Sequence, residues 1–376
     1  MTAPDDTALR ALRTDVRAFL AEELAAEAFT PRCDNWLAGW DEAFTGRLAD
    51  HGWVGLTIPT RYGGHGRTAV ERYVVTEELL AAGAPVAAHW IADRQIAPSL
   101  LRFGTEEQRR RYLPEIAAGR SFFGIGMSEP DSGSDLASVR TKATRVDGGW
   151  RLDGTKVWTS GAHRAHAFFV LARSAPLDEG SRHDGLSQFL VPLDSDGVEV
   201  RPIRLLTGEA HFNQVVLDGV FVPDSMVFGE IGAGWTQVTS ELAFERSGPE
   251  RFLSTFPLLA MLADAIGTSG GDRRALGGLL ARLWALRQMS LQVADLLAAG
   301  ADADLAAAEV KELGTRFEGE VIEVARLVLD VEPDPGSADE VARMLAQATL
   351  HAPGFTIRGG TNEVLRGVIA RGVGLR

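Results

Sequence analysis

Two changes in the spacing of apolar residues divide this chain into three parts. Before about residue 120 apolar residues recur at helical intervals, as at Leu9, Leu12, Val16 and Phe19. From Phe122 onward they form short runs separated by turn dipeptides, which is typical of strands, and from residue 232 the helical interval returns. Helices and strands do not alternate along the chain, so the pattern excludes a doubly wound α/β sheet. It predicts an α+β fold that is mostly α.

We place the predicted domain boundaries where the spacing changes: a helical domain over 1–121, a β-domain over 122–229 and a helical domain over 230–376. Five to seven short strands in about 100 residues indicate a compact antiparallel barrel or sandwich in the middle. Turns are expected at Asp147-Gly148 and Asp153-Gly154. Helix starts with capping boxes are expected at three hydroxyl residues, each followed three positions later by Glu or Gln: Thr68, Thr105 and Ser337.

The composition limits the kinds of partner. Of 376 residues, 38 are Lys or Arg and 51 are Asp or Glu, so the formal charge of −13 argues against binding nucleic acid or anionic membranes. The single cysteine, Cys33, cannot form an internal disulfide, and we interpret it as an unreactive thiol. No signal peptide or apolar stretch of about 18 residues is evident, so a cytoplasmic protein is expected.

Two segments of the middle part have the composition of a binding site. The loop from Gly124 to Asp135 combines glycines with hydroxyls, and its N–H and O–H donors suit a pyrophosphate or the polar edge of a heterocycle. A structural turn would use the same residues. Further on, Trp158 precedes Thr159 and Ser160, so an indole could cover a flat ring while a hydroxyl reaches a ring nitrogen. A core tryptophan is the alternative.

Two other patterns have weaker support. His163 and His166 lie close together, but no clustered carboxylates or further histidines accompany them, so we expect loop histidines and no metal site. The segment from Gly267 to Gly271 matches G-x-S-x-G, a pattern that indicates a hydrolase only between a strand and a helix. It lies between two helical stretches here, so a hydrolase is not expected.

Four segments of the chain form a recognisable series of motifs. They are Met127-Ser128-Glu129-Pro130, Gly133-Ser134-Asp135, Lys156-Val157-Trp158-Thr159-Ser160-Gly161 and Gly359-Gly360-Thr361-Asn362-Glu363-Val364-Leu365-Arg366. In this order they resemble the motifs of acyl-CoA dehydrogenases. The similarity runs through nearly the whole chain, and the helix–strand–helix order agrees with it.

The resemblance implies a flavoprotein with an N-terminal helical domain, a central β-domain, a C-terminal four-helix bundle, and FAD between the last two. Such an enzyme removes the α-proton of an acyl thioester while hydride leaves the β-carbon for flavin N5. The resemblance also implies that Ser134 and Arg246 contact the substrate. The residues that it implies for FAD are Ile125, Met127, Ser128, Gly133, Ser134, Trp158, Thr159, Ser160, Thr361 and Glu363.

The catalytic base departs from the commonest family pattern. Many members carry it as a Glu directly before the Gly-Thr of the last motif, and this chain has Gly359 there. Other members carry it on a bundle helix immediately before an Arg, which indicates Glu245, with Glu241 one turn earlier as a fallback. Gly359 can still act through its backbone N–H, polarising the thioester carbonyl. Arg246 is either a contact for the nucleotide part of the carrier or an ion-pair partner of Glu245.

Two family loops that reach the adenine half of FAD across a subunit interface are missing. Residues 251–253 and 350–354 stand in their place, which resembles a divergent actinobacterial branch in which some subunits form heteromers. The expected partners are an acyl-CoA or acyl-carrier-protein thioester and an electron-transfer flavoprotein as acceptor. A homodimer or homotetramer is expected, with a heterotetramer as the alternative. A non-catalytic or half-site subunit and a flavin-dependent oxygenase are the competing functions.

Overall fold

The computed structural model describes residues 6–246, 248–269 and 272–375, and it gives no side-chain detail for 241–245, 268 and 269. The chain begins with helices, in agreement with the predicted helical part. A short π-helical turn, Ala92–Ile96, joins two of them. The helices are α1 (Asp6–Ala25), α2 (Asn35–Ala38), α3 (Glu42–Asp50), α4 (Ala69–Ala81), α5 (Ala87–Ile91), α6 (Ala97–Phe103) and α7 (Glu106–Ala117).

Local sequence signals explain where several of these helices form. In α1 the buried residues are Leu12, Val16, Phe19 and Leu20, which share one face at the helical interval. Helices α4 and α7 begin with the expected capping boxes at Thr68 and Thr105, each with both reciprocal hydrogen bonds present.

The middle part forms the predicted β-domain as one open sheet, so a closed barrel, one of the two expected forms, is not found. The strand order is β6-β7-β3-β2-β4-β5-β8, and β1 pairs with β4 off this path. Both β1 and β2 run parallel to β4, whereas the other pairs are antiparallel. The strands are β1 (Phe123–Gly126), β2 (Lys142–Val146), β3 (Gly149–Ser160), β4 (Ala167–Arg173), β5 (Leu186–Pro192), β6 (Val198–Ile203), β7 (Phe212–Pro223) and β8 (Val227–Phe228).

Strand β3 is longer than the turn signals predicted. It continues through Asp153-Gly154, where the register with β7 shifts, so this dipeptide forms an irregularity inside a strand and no turn. A second shift lies between Lys156 and Thr159. The second shift places Trp158 at an irregular position near the end of the strand.

Helices return after the sheet, as the spacing predicted. Helix α12 begins two residues later than its capping signal suggested, because Asp339 caps it by accepting from the N–H groups of Val341 and Ala342. Ser337 instead accepts a hydrogen bond from the Asp339 N–H. The helices of this part are α8 (Gly234–Arg246), α9 (Phe256–Ser269), α10 (Arg273–Ala298), α11 (Asp304–Val328), α12 (Glu340–Phe355) and α13 (Asn362–Gly372).

Contacts group the chain into two compact units that do not follow the linear boundaries. The sheet unit comprises residues 40–66 and 87–242. The helical unit comprises the described residues up to 39, 67–86 and those from 243 onward. Every residue of β4 is buried, and Phe168, Phe169 and Val170 belong to the core of the sheet unit. A strand that is buried on both faces reads as a continuous apolar run in the sequence.

Ion pairs join the helices of the helical unit. The Arg287 Nε of α10 donates to a Glu77 oxygen of α4 at 2.6 Å, and Arg13 of α1 donates to the other oxygen of the same carboxylate at 2.7 Å. Among the described residues, no helix is both long and apolar enough to cross a membrane.

Candidate functional site

In the sheet unit, the loop after β1 is fastened to β3 by a buried lysine. Lys156 has no exposed surface, and its Nζ donates to the Met127 carbonyl at 2.9 Å and to a Glu129 oxygen at 2.8 Å. The N–H of Val157 donates to the Ser128 carbonyl at 2.9 Å. These bonds bring Ser128 and Trp158, two predicted flavin contacts, close together in the fold.

The Glu129 carboxylate is held on three sides. Besides Lys156, it accepts from the N–H groups of Arg140 and Thr141 at 2.7 and 2.8 Å. Burial alone would raise the pKa of Glu129, but the Lys156 charge and these hydrogen bonds outweigh it, so the pKa is lowered. Burial lowers the pKa of Lys156 to about 8, although the carboxylate opposes that shift. This ion pair was not predicted from the sequence; the available signal was a lysine at an inward-facing position of a strand.

The rest of the loop makes a tight turn with an exposed tip. Glu129 and Ser132 exchange backbone hydrogen bonds at 2.8 and 3.1 Å, and the Ser132 hydroxyl donates to the Asp135 carbonyl at 2.8 Å. Gly133 and Ser134 are exposed. The predicted substrate contact Ser134 therefore lies at the surface of the sheet unit, and the predicted contacts Ile125, Met127 and Ser128 are half-buried.

Trp158 adopts a strained backbone conformation. Its φ of 62° lies in the left-handed region, which is uncommon for any residue except glycine and costs about 1–3 kcal/mol. Its side chain is 54% exposed and meets Phe212 edge-on, with 5.9 Å between the ring centroids. The alternative of a core tryptophan is thus wrong. The register shift between Lys156 and Thr159 turns the indole outward, where it can cover a flat ring.

The two hydroxyl residues after Trp158 differ in exposure. Thr159 is fully buried, so its side chain belongs to the strand packing. Its carbonyl accepts from the side-chain amide of Asn213 at 2.9 Å. Ser160 is half-buried at the end of β3, and the next N–H, of Gly161, donates to the His211 carbonyl at 2.8 Å. Hydrogen bonds to β7 and the preceding loop therefore fix the end of the strand that presents Trp158 and Ser160.

In the helical unit, the loop before α13 contains two glycines with positive φ, Gly359 at 70° and Gly360 at 85°. Arg246, the last residue of α8, donates from Nε to the Gly359 carbonyl at 3.0 Å. Added to Gly360, a Cβ would lie 3.0 Å from the Arg246 guanidinium, so glycine permits this close approach. Within the described parts of the chain, the N–H of Gly359 has no hydrogen-bond acceptor.

Both ends of this loop are anchored. On the C-terminal side Thr361 caps α13 by accepting from the Val364 N–H, and Asn362 is buried. The Asn362 side-chain oxygen accepts from Lys311 Nζ at 2.7 Å and from the Thr315 hydroxyl at 3.2 Å. The predicted FAD contact Glu363 is exposed in the first turn of α13. Such a helix N-terminus favours negative charge of a ligand, which its own Glu363 carboxylate would oppose.

The predicted base lies at the limit of what the structure describes. Glu245 belongs to α8, but its side chain, like that of Glu241, is outside the described residues. Its position in the chain is still informative. Glu245 directly precedes Arg246, and consecutive Cα atoms are about 3.8 Å apart, so the backbone at Glu245 is near the residue that holds Gly359.

The remaining candidates do not form a site. Within the described part of the chain no cluster of three potential metal ligands is found. The Nδ1 of His163 is 3.0 Å from the Asn213 side-chain oxygen, and that of His166 accepts from the Phe122 N–H at 3.0 Å. Cys33 is buried, which raises the pKa of its thiol to about 12. Part of the G-x-S-x-G segment, at 270 and 271, lies outside the described residues.

Comparison with known proteins agrees with this architecture. Three family models match: the acyl-CoA dehydrogenase N-terminal domain over residues 6–120, the middle domain over 124–220 and the C-terminal domain over 264–374. The chain is 34% identical to the acyl-CoA dehydrogenase IpdE1 of Mycobacterium tuberculosis over 387 residues, which covers 96% of each protein. It is 36% identical to FadE34 of the same organism over 331 residues, and this match spans only 44% of FadE34.

Solved structures give the same result. The Tcur3481-Tcur3483 steroid ACAD is 30% identical with a TM-score of 0.87, over 100% of both chains. The ChsE4-ChsE5 complex of Mycobacterium tuberculosis is 29% identical with a TM-score of 0.83, over 100% of this chain and 99% of that chain. The chain belongs to the acyl-CoA dehydrogenase family. It is an acyl-CoA dehydrogenase-type oxidoreductase, a flavoprotein of lipid metabolism whose cofactor is FAD, and the family is typically oligomeric.

Proposed function

We propose that this protein catalyses the FAD-dependent α,β-dehydrogenation of an acyl-CoA to the 2-enoyl thioester, with Glu245 as the base. The observation that carries the proposal is the 3.0 Å hydrogen bond from Arg246 to the Gly359 carbonyl. It brings the end of α8 to the loop where many family members carry their base. A carboxylate at Glu245 can therefore serve the position that Gly359 leaves without a side chain.

The Gly359 N–H is proposed to act on the thioester carbonyl. Removing the α-proton moves negative charge onto the thioester oxygen, and a fixed N–H donor stabilises that charge. The N–H has no acceptor among the described residues, and its loop is anchored on both sides. Preorganised donors of this kind are worth about 10²–10³ in kcat. Glu245 then has the single task of accepting the α-proton.

The residues around Trp158 fit the isoalloxazine of FAD, which when bound accepts the β-hydride at N5. The exposed indole offers a flat apolar face, and the half-buried hydroxyls of Ser128 and Ser160 offer hydrogen bonds to a polar ring edge. We propose that Ser128, Trp158 and Ser160 contact the ring, with Ile125 and Met127 packing beside them. Gly133, Ser134, Thr361 and Glu363 are proposed for the remainder of the cofactor.

Two structural features refine the proposed substrate contacts. Arg246 is engaged with Gly359, which favours a role in holding the loop over a role in gripping the nucleotide of CoA. Ser134 is exposed at a loop tip and remains our candidate contact for the carrier. The steroid ACAD among the similar structures leads us to propose a bulky polycyclic acyl group, in preference to a straight chain.

A half-site subunit is the second candidate function. The titles of two similar structures name pairs of proteins, Tcur3481-Tcur3483 and ChsE4-ChsE5. The segment 350–354 that replaces a family loop continues helix α12 to residue 355, and Arg251 in the other replacement is fully buried. Neither segment therefore supplies the family's usual loop. In that case a second subunit would complete the FAD site, and an electron-transfer flavoprotein would still be the proposed acceptor.

Anaerobic titration of the purified protein with a panel of acyl-CoA thioesters tests the proposal. We expect a yellow protein whose flavin absorbance is bleached by a steroid-type acyl-CoA with formation of the enoyl product. Glu245→Gln should retain FAD and lose bleaching, whereas Glu241→Gln, one turn earlier on α8, should retain both. Bleaching by Glu245→Gln at the wild-type rate would contradict the assignment of the base.

The same preparation separates the two functions. A colourless protein that gains FAD only when a second subunit is added would favour the half-site function. In that case the Glu245→Gln and Glu241→Gln comparison is repeated on the reconstituted complex, because the base assignment is independent of the number of subunits. Binding of FAD without bleaching by any thioester would contradict the dehydrogenase itself.

A further inference from the structure

Arg358, the residue directly before Gly359, is held by a carboxylate from the opposite end of the chain. Its Nη1 lies 2.6 and 2.7 Å from the two oxygens of Asp34, and its Nη2 donates to the Ser254 hydroxyl at 3.0 Å. Its guanidinium also lies over the rings of Trp36 and Phe355, at 4.6 and 4.9 Å from their centroids. These contacts hold the Arg358 guanidinium in one position, and the Asp34 carboxylate balances its charge.

We call the Asp34–Arg358 ion pair and its contacts the anchor, and Ser254 connects its components. Its hydroxyl accepts from the Trp36 indole N–H at 3.0 Å and donates to the Glu250 carbonyl at 3.1 Å. Its carbonyl accepts from the Asp34 N–H at 2.8 Å. The Nδ1 of His351 lies 3.3 Å from the second Asp34 oxygen. Asp34 is consequently restrained through both its backbone and its carboxylate.

Forming the anchor costs free energy, because it buries charged groups and strains the backbone. Asp34 is 2% exposed, and removing a carboxylate and a guanidinium from water is often less favourable than burying apolar residues of similar size. Asp34 also has a φ of 58°, in the left-handed region that non-glycine residues rarely adopt. An apolar contact would stabilise the fold at lower cost. The arrangement is therefore better explained by what it positions than by the stability that it provides.

The group that it positions is the peptide between Arg358 and Gly359. This peptide is planar, so the direction of the Gly359 N–H follows from the placement of Arg358 on one side and Gly359 on the other. Arg246 fixes the Gly359 carbonyl, and Lys311 fixes the loop beyond it through Asn362. Two glycines with positive φ would otherwise leave the segment with considerable conformational freedom.

We propose that Asp34 and Arg358 are positioning residues that aim the Gly359 N–H at the thioester carbonyl. This inference rests on the proposed function, because it concerns the donor that we assign to the same reaction. It gives the segment around Asp34, 324 positions away from Arg358, a share in catalysis without contact to the substrate. Neither residue is expected to exchange a proton with the substrate.

The test uses the FAD-loaded enzyme and the variants Arg358→Met and Asp34→Asn. A displacement of about 1 Å in a reacting geometry can cost about 10²-fold. We therefore expect kcat, measured as the anaerobic rate of flavin reduction, to fall about 10–100-fold while KM changes little. The kinetic isotope effect for α-deuterated substrate should rise, because proton removal becomes slower. FAD content should be unchanged, and deuterium exchange of a peptide covering 356–361 should be faster.

Arg287→Met is the matched control. Arg287 also forms an ion pair with a buried carboxylate of the helical unit, Glu77, but contacts no part of the glycine loop in the described residues. The melting temperature of Arg287→Met should fall, while its kcat and isotope effect stay at wild-type values. If Arg358→Met behaves in the same way, with normal kcat and isotope effect, the anchor is only structural and the proposal is overturned.

Two further variants keep the test decisive. If Arg358→Met fails to fold, Arg358→Lys preserves a charge but loses the planar donors, and it should still lower kcat. Glu245→Gln, measured in parallel, separates this inference from the proposed function. Normal turnover in Glu245→Gln overturns the proposed base, whereas lost turnover there with normal turnover in Arg358→Lys overturns only the anchor.

Discussion

Arg246 and Gly359 are 113 positions apart in the chain, and a 3.0 Å hydrogen bond from the guanidinium Nε to the carbonyl joins them. The bond links the residue after the proposed base to the residue that occupies the usual position of that base. A family member that lacks a glutamate before its Gly-Thr motif can therefore keep both functional groups at one place. In the proposed mechanism the carboxylate comes from α8, and the loop supplies a backbone donor.

The first prediction concerns Arg246. Arg246→Met removes the donor to the Gly359 carbonyl, so the loop loses one of its restraints. We expect kcat to fall about 10–100-fold with FAD retained and KM changed less than kcat. Steady-state kinetics on the holoenzyme measure both constants. A rise in KM with unchanged kcat would instead assign Arg246 to binding the carrier, and Arg343→Met, an exposed arginine on α12, serves as the control.

The second prediction concerns the Lys156–Glu129 pair. Breaking a buried ion pair from one side typically costs about 3–5 kcal/mol. Glu129→Gln should cost more than Lys156→Met, because the buried Lys156 charge then has only neutral acceptors, whereas in Lys156→Met the Glu129 carboxylate keeps two N–H donors. Denaturant unfolding measures the cost, and the FAD content of both variants should fall because the Met127–Glu129 loop is released from β3.

The control for this pair is Glu199→Gln, which breaks an exposed ion pair with Arg201 on β6. No resolvable change in the unfolding midpoint or in FAD content is expected there. A double variant, Glu129→Gln with Lys156→Met, should lose less stability than the sum of the two single variants. Strict additivity would mean that the two side chains do not stabilise each other.

The third prediction concerns the strained backbone of Trp158. Glycine adopts a φ of 62° without steric cost, so Trp158→Gly relieves strain while it removes an exposed ring. The melting temperature of the FAD-free protein should stay close to that of the wild type. FAD affinity, measured by fluorescence titration, should fall about tenfold or more, because the stacking surface is lost. Trp284→Ala removes another exposed tryptophan, on α10, and should leave FAD affinity unchanged.

Local patterns predicted much of the fold and indicated residues for a candidate site. The apolar spacing of α1 and the capping boxes at Thr68 and Thr105 depend on neighbours within a few residues, and the structure has each of them. The loop at Ser128 and Trp158 were proposed as flavin contacts from adjacent residues, and that assignment stays a prediction. Such signals are readable because the interacting groups are close together in the sequence.

The rest depended on contacts between distant residues. Strands β1 and β2 pair in parallel with β4, and such pairing depends on residues that are distant in the sequence. The sequence alone therefore allowed a barrel, whereas the sheet is open. The Asp34–Arg358 pair spans 324 positions, and nothing beside either residue indicates the other. Ser337 was the predicted cap of α12, and Asp339, two residues later, accepts the N–H groups instead. Competing short-range options of this kind are decided by tertiary packing.

The final prediction concerns Glu318, a fully buried carboxyl of α11 that accepts from the Ser254 N–H at 2.8 Å. Burial raises the pKa of Glu318 to about 7, and the Asp34 charge adds to this shift while Arg358 opposes it. Because the folded pKa is above the ordinary value of 4.5, the carboxyl favours folding when protonated. Its contribution is complete below about pH 4.5 and is lost as the pH rises through about 7.

Glu318→Gln replaces this carboxyl with a group that cannot ionise but can still accept from Ser254. The free energy of unfolding of the variant relative to the wild type should therefore rise between pH 5 and pH 8, by up to a few kcal/mol. Denaturant unfolding at several pH values measures the difference. Glu199→Gln is the control: the hydrogen bond from Arg201 lowers the pKa of Glu199, so Glu199 stays ionised from pH 5 to pH 8 and the difference between this variant and the wild type should be constant over the same range. A pH-independent difference for Glu318→Gln would mean that Glu318 stays in one protonation state throughout, and the buried network around Ser254 would then be insensitive to pH.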